Sequence, residues 1–359
     1  MQKISIYFLF VMAVFSAVSC KKDETSPNAD VITNVTDNII VATYSDLDAK
    51  ADILLTAINA LKAGGATTDE LTAAKAAWVA ARAPWEASEG FLFGPVADNE
   101  IDPNIDTWPL DSINVDLILA GSDVLNKAYI DNLTGDAGTG LKGFHLIEYL
   151  LWGSASNKTA AQLTARELDY LVAATESLKG KTAELKAAWT TGNFANQLKA
   201  RSTRYPSEKA VFVELAEGIR GIAGEVFDSK IQSTLDGLDL DGLNGGLREE
   251  ESRFSANTKT DFTSNITSIQ NVYLGKYGSL GNGKGLSTIV AAKNATLDAK
   301  IKTQITEAIA AIQAIGGSAS TTYSTALGSD RASIEAAQSK VETLEGTLGT
   351  ELLDLVDGL

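Results

Sequence analysis

The chain has 359 residues, 45% of them hydrophobic and 21% charged, so its composition can supply a packed core and disorder is not the expected state. Its formal net charge of −16 repels phosphate backbones and argues against nucleic acid as a partner. Only six prolines occur, while Ala, Leu, Lys and Glu are plentiful, which favours helix over strand; the length suits two domains or one large one.

Lys3 precedes an apolar run, ISIYFLFVMAVFSAVS, that ends in small residues just before Cys20. Residues 1–19 therefore read as a signal peptide, too short to be a comfortable bilayer span. The ending AVSC resembles a lipobox, in which Cys20 is lipidated and becomes the new N-terminus; the alternative is an ordinary secretory signal cleaved near the same point. Cys20 is the only cysteine, so no intrachain disulfide can form. Residues 20–30 are polar enough to serve as a tether, and KKDE after the cysteine resembles the export tags of some Gram-negative lipoproteins. The expected location is the cell envelope, as an outer-membrane lipoprotein facing the periplasm or the surface and touching membrane through its anchor alone.

From Val31 to Leu61 apolar residues recur at roughly helical spacing, with a less regular middle, until Gly64 and Gly65 stop the pattern. Thr67 with Glu70 reads as a capping box that opens a second helix. That helix runs through LTAAKAAWVAARAPWEASEGFLF toward Gly94 and Pro95, with Pro84 expected to kink it or mark its working end. Residues 95–111, PVADNEIDPNIDTWPLD, carry Asp98, Glu100, Asp102, Asp106 and Asp111 with no basic residue among them. They read as a long ordered loop, and long loops in compact domains are usually functional.

Helices are predicted over about 112–128, 138–152, 164–190 and 207–235, followed by a Gly/Asp-rich separator, DGLDLDGLNGG. The glycine-rich GKYGSLGNGKG lacks the GK[ST] ending and the preceding strand of a phosphate loop. Two Ala-rich helices complete the chain. The fold class is all-α, as two four-helix-bundle-like domains side by side, 31–190 and 191–359. IEYLLWG (147–153) and IQNVYLG (269–275) form a faint internal repeat, in which Thr267 and Gln270 stand where the first copy has His145 and Glu148.

The single histidine lies in GFHLIEYLLWG. On a helix, residues three apart share a face about 5–6 Å apart, so His145 and Glu148 can point at one spot. Imidazole with carboxylate suits zinc or iron, although a lone histidine on an apolar helix is more often a satisfied core residue. Glu148 sits in a run with no other charge from His145 to Gly153, and a carboxylate buried there needs a partner. Arg82, Glu86 and Glu89 form a second charged face among Trp78, Trp85, Phe91 and Phe93; a solvent-facing stripe is the plainer reading of it.

GFHLIE matches the G-x-H-x-x-E motif of the imelysin family. RAPWEASEGFLFGPV, DTWPL, REEESRFSANTKTDF and NVYLGKYG resemble imelysin segments in the expected order, over most of the chain after the leader. The resemblance implies two helical domains with a site between them and an association with bacterial iron uptake; the family was first described as a metallopeptidase. Carried over, it implies His145 and Glu148 as the motif pair, with Gly143 letting a neighbouring element approach and Arg82, Glu86 and Glu89 facing them. Asp106 and Trp108 would come from the loop, and Ser252, Arg253 and Asn257 would close the site from the second domain.

Three functions fit these residues. The favoured one is a binding protein for iron uptake, holding iron or an iron-bearing ligand through His145, Glu148, Glu86 and Glu89, with iron-transport proteins as partners. Several carboxylates with one imidazole form a harder donor set than structural zinc sites use. The second is a metallopeptidase; the common helical motif needs two histidines, which leaves only a one-histidine zinc site. The third is a structural or partner-binding lipoprotein in which the cluster is an ion-pair network.

Overall fold

The computed structural model describes residues 28–359; the expected signal peptide, Cys20 and most of the tether lie outside the described residues. Among them there is no strand, only one isolated bridge between Tyr277 and Leu280, and the all-α class holds. No described helix is long and apolar enough to cross a membrane.

Helix α1 (Val41–Ala63) continues from a short helix, Ala29–Asn34, through a π turn at Val35–Ile40. The wider turn shifts the phase of the apolar face, which accounts for the weak periodicity there. Beyond it, Tyr44, Leu47, Ala51, Leu54, Ile58 and Leu61 are buried at strict three- and four-residue spacing. Helix α2 (Thr68–Glu86) opens with the expected capping box: the Glu70 amide donates to Thr67 Oγ1 and the Thr67 amide to Glu70 Oε2. Helices α3 (Gly143–Trp152) and α4 (Ala165–Trp189) follow. The contacts α1–α2, α2–α3, α3–α4 and α4–α1 close a ring of four.

After Phe194–Lys199 come α5 (Glu208–Gly224), a π turn (Glu225–Ile231), α6 (Gln232–Glu249), α7 (Thr258–Leu274), α8 (Ala295–Gln313) and α9 (Arg331–Thr347). Here α5–α7, α7–α8, α8–α9 and α9–α5 close a second ring, and α7 also packs on α2. The buried apolar residues of both rings form one continuous cluster.

The acidic loop is partly helical, with Pro95–Asp98 and Ile101–Ile105, and the helix expected over 112–128 is two pieces, Ser112–Ala120 and Lys127–Asp131. The Gly/Asp-rich separator falls inside α6, broken at Asp241 and Gly242. Its glycines serve a close approach: a β-carbon on Gly245 would lie 2.0 Å from the Gly237 carbonyl oxygen, so the segment folds back on itself instead of separating two helices. The faint repeat places both of its glycines, Gly153 and Gly275, at helix C-caps with positive φ, a shared ending that explains the likeness locally.

Candidate functional site

Three stretches of chain meet at the last turn of α2. Pro84 removes one backbone donor, α2 ends two residues later at Glu86, and a 3₁₀ turn, Glu89–Phe91, follows. That geometry turns Arg82, Glu86 and Glu89 inward among the tryptophans, and all three are buried. The Arg82 guanidinium, 0% exposed, lies 2.5 Å from Glu86 Oε1, 2.7 Å from Glu251 Oε1 and 3.4 Å from Asp261 Oδ2, and its Nη1 pairs with Asp106 Oδ1. A planar cation with five donors can serve several carboxylates at once.

Helix α3 enters beside it because Gly143 adopts φ +76°; a β-carbon there would stand 2.4 Å from the Ile105 carbonyl oxygen. The loop backbone thus crosses against the start of α3 and delivers the next residue, Asp106, to the histidine. His145 Nε2 lies 3.2 Å from Asp106 Oδ1 and 3.9 Å from Glu251 Oε1, and Nδ1 lies 3.4 Å from Glu148 Oε2. Glu148 Oε1 accepts the Ser255 amide and hydroxyl, each at 2.7 Å. Asp106 Oδ2 accepts the Trp85 indole N–H at 2.5 Å.

The opposite side holds a cation that the sequence reading did not single out. Lys230 Nζ lies 3.0 Å from Glu89 Oε2, 3.1 Å from Glu251 Oε2 and 3.8 Å from Glu86 Oε2, and 5.3 Å from the centre of the Trp108 ring. Asn265 of α7 donates to Glu86 Oε2 at 2.7 Å and Glu89 Oε2 at 3.0 Å, and Asn257 donates to Asp261 at 2.5 Å.

Six carboxylates (Glu86, Glu89, Asp106, Glu148, Glu251 and Asp261) are thus buried with Arg82, Lys230 and His145. Even with the imidazole protonated the formal charge is three negative, which a dry interior does not hold unless protons or a cation are taken up. Burial drives the Glu86 and Glu89 carboxyls well above the usual range against the pull of Lys230 and, for Glu86, Arg82. Burial raises Asp261 to about 6 despite Arg82. Asp106 goes the other way: burial pushes it up, but Arg82 and His145 outweigh burial and hold it well below the usual range. Burial and Arg82 push the imidazole down, yet Asp106 and Glu148 prevail and carry His145 to about 9.

Two sets of ligating atoms lie within 4.8 Å of one another: Asp106–His145–Glu251 and Glu86–Glu89–Asp106. Both share Asp106, and Glu148 belongs to neither. His145 Nε2, Glu86 Oε1 and Glu251 Oε2 are buried and make no hydrogen bond, although they meet Asp106, Arg82 and Lys230 respectively at ion-pair distance. Two cavities flank Trp108. One, about 190 Å³, is lined by His145, Glu148, Ser252 and Arg253, and the other, about 210 Å³, by Glu89, Asp102, Asp106 and Glu225. Ser252 sits at φ +50° in the turn after α6, and Arg253 stacks 4.4 Å over Phe254. Every expected site residue from Arg82 to Asn257 therefore falls in or against one cluster.

An imelysin family model matches residues 40–348. The chain belongs to the imelysin family. This imelysin is 26% identical over 353 residues to iron-regulated protein A of Synechococcus elongatus, covering 96% of this chain and 91% of that protein. A crystal structure from Parabacteroides distasonis, assigned as an iron-regulated protein A precursor, superposes with a TM-score of 0.79 at 27% identity, covering 92% of this chain and 94% of that one. An imelysin-like protein from Psychrobacter arcticum shares the fold, with a TM-score of 0.69 at 14% identity and coverage of 92% and 96%.

Sequence reasoning missed Glu251, Lys230, Asp261, Asn265 and Ser255. A signal existed for three of them. Asp261, Asn265 and Ser268 form a polar stripe at four- and three-residue spacing inside the apolar face of α7, and all three are buried. Lys230 likewise falls four residues after buried Val226 and four before Thr234. Glu251 carried none, because it stands in a run of three glutamates.

Proposed function

We propose that this imelysin serves iron uptake as an envelope lipoprotein, binding iron or an iron-bearing ligand at the buried cluster, where the bundle-like halves 31–190 and 191–359 meet. The observation that supports this most is the Asp106–His145–Glu251 set: three donors within 4.8 Å, one of them an imidazole nitrogen with no hydrogen bond. Two carboxylates and an imidazole suit iron better than they suit a thiolate-preferring ion. An arriving cation would take over the positive charge that the imidazole proton otherwise supplies, so proton and ion compete for His145. Glu148, held by Ser255, would orient His145 from Nδ1 as carboxylates commonly orient metal-bound imidazoles. Arg82 would stay as a fixed counter-charge, while Arg253 and Trp108 line the approach. The names of the relatives support the iron reading.

The test is calorimetric titration and metal analysis of the full chain in detergent with Fe²⁺, Fe³⁺ and Zn²⁺, comparing wild type with His145→Ala and Asp106→Asn. Iron binding that disappears in both variants, with helical circular dichroism intact, supports the reading. Absence of binding in the wild type sinks it and leaves the cluster as an ion-pair network. Zinc binding with peptide cleavage would favour the peptidase alternative.

A further inference from the structure

The cluster has two halves that meet at Asp106, and they are not equivalent. The half on the Glu86–Glu89 side already contains a cation. Lys230 Nζ is 1% exposed with its residue, and its contacts there are carboxylates: Glu89 at 3.0 Å, Glu251 at 3.1 Å, Glu86 at 3.8 Å and Glu225 at 3.9 Å. Its remaining face lies on the Trp108 ring. A lysine in such surroundings acts as a compact point charge, and a cation over a tryptophan face gains further attraction. Of the half on the His145 side, Lys230 meets only Glu251 at ion-pair distance. The imidazole Nε2 there makes no hydrogen bond; Arg82, which serves both halves, pairs with Asp106 Oδ1 and Glu251 Oε1, the oxygens that also face that nitrogen at 3.2 and 3.9 Å.

The chain places this lysine with an unusual element. Lys230 lies on the π turn Glu225–Ile231 between α5 and α6. A π turn widens the helix by one residue, and such turns recur at functional sites because they re-aim one side chain. Val226 and Ile231 on the same turn are buried apolar anchors, so the ammonium is held by packing and not only by its partners.

We propose that Lys230 is a tethered cation that fills the Glu86–Glu89 half and confines a free divalent metal ion to the Asp106–His145–Glu251 half, so that the chain takes one ion and not two. This rests on the metal-binding reading above. Removing the ammonium leaves Glu86, Glu89 and Asp106 within 4.8 Å of one another and deprived of one positive charge, a carboxylate set that suits a hard divalent ion.

The experiment counts ions. Wild type, Lys230→Met and Lys230→Arg full chains in detergent are loaded anaerobically with Fe²⁺, freed of excess metal, and assayed for bound iron per chain, with thermal melts in parallel. About one ion is expected in wild type and the Arg variant and about two in the Met variant, with a larger rise in melting temperature on adding Fe²⁺ to the Met variant than to wild type. Adding His145→Ala to Lys230→Met should return the count to about one. An unchanged count of one in Lys230→Met overturns the proposal and leaves the iron reading standing. No iron in wild type overturns the iron reading itself. Should Lys230→Met fail to fold, wild type still decides: a count of two with Lys230 in place refutes the tethered-cation role, and a count of one supports it.

Discussion

Replacing Arg82 by Met removes the one guanidinium shared by Glu86, Asp106, Glu251 and Asp261 while keeping much of the side-chain volume. Arg82 is fully buried, so solvent cannot screen the carboxylates left behind. Breaking a buried ion pair by deleting one partner costs about 3–5 kcal/mol, and protonation of the orphaned groups caps the loss. Unfolding entropy for a chain of this size is roughly 0.7 kcal/mol per kelvin, so the melting temperature should fall by about 4–7 °C at pH 7.5. The pH dependence has a definite sign. Asp106 has a depressed folded pKa, so the stability it draws from Arg82 is present above its unfolded pKa and lost as pH falls toward the folded value. Asp261, raised to about 6, already takes up a proton at mildly acidic pH and then needs Arg82 less, and burial shifts Glu86 in the same upward direction. The gap between wild type and Arg82→Met should therefore narrow steadily from pH 8 to pH 4. The assay is thermal and urea unfolding by circular dichroism at several pH values. A loss under about 1 kcal/mol at pH 7.5, the size of an exposed pair, or a gap that widens on acidification, would refute the reasoning.

Two other substitutions probe how the site is positioned and how the helices around it are tied. Gly143→Ala should cost about 2–4 kcal/mol, because alanine is strained at φ +76° and its β-carbon would meet the Ile105 carbonyl oxygen at 2.4 Å; urea midpoints check this, and a change under about 0.5 kcal/mol contradicts it. Asp48→Asn should cost about 1–2 kcal/mol, since Asp48 accepts from Lys179 at 2.7 Å and Lys186 at 3.0 Å and so ties α1 to α4. Burial raises the Asp48 carboxyl, but the two lysines outweigh burial and hold it low. Its contribution is then present above the unfolded pKa of about 3.9 and fades as pH falls below it; melts at pH 7 and pH 3 should show the difference shrinking.

The helical class, the capping box at Thr67, the C-terminal end of α3 and both ends of α4 were legible because each rests on local spacing and local capping, whereas the helix expected from 138 begins only at Gly143, after a separate short helix, Asp136–Thr139. The convergence of the site was legible only through the family resemblance. Nothing in the spacing of GFHLIE says that Asp106 will meet His145; that meeting depends on Ile105 crossing Gly143, a contact between segments 38 residues apart in a loop of unpredictable path. Glu251 was hidden for a different reason. Glu249, Glu250 and Glu251 are identical in type, and only the tertiary path after α6 decides that the third faces Arg82 and Lys230 while Glu250 accepts from Thr258 and Ser324. The Gly/Asp-rich stretch misled because glycine marks both linkers and tight backbone contacts, and here it serves the second.

The most direct test of the central claim is the position of the metal. Crystals of the full chain grown with Fe²⁺ under anaerobic conditions would be measured on both sides of the iron absorption edge. The result expected is one anomalous peak per chain within ligand distance of His145 Nε2 and carboxylate oxygens of Asp106 and Glu251, with Lys230 still against Glu89. No peak at that cluster while iron is bound elsewhere, or a peak that leaves His145 Nε2 unligated, would contradict it.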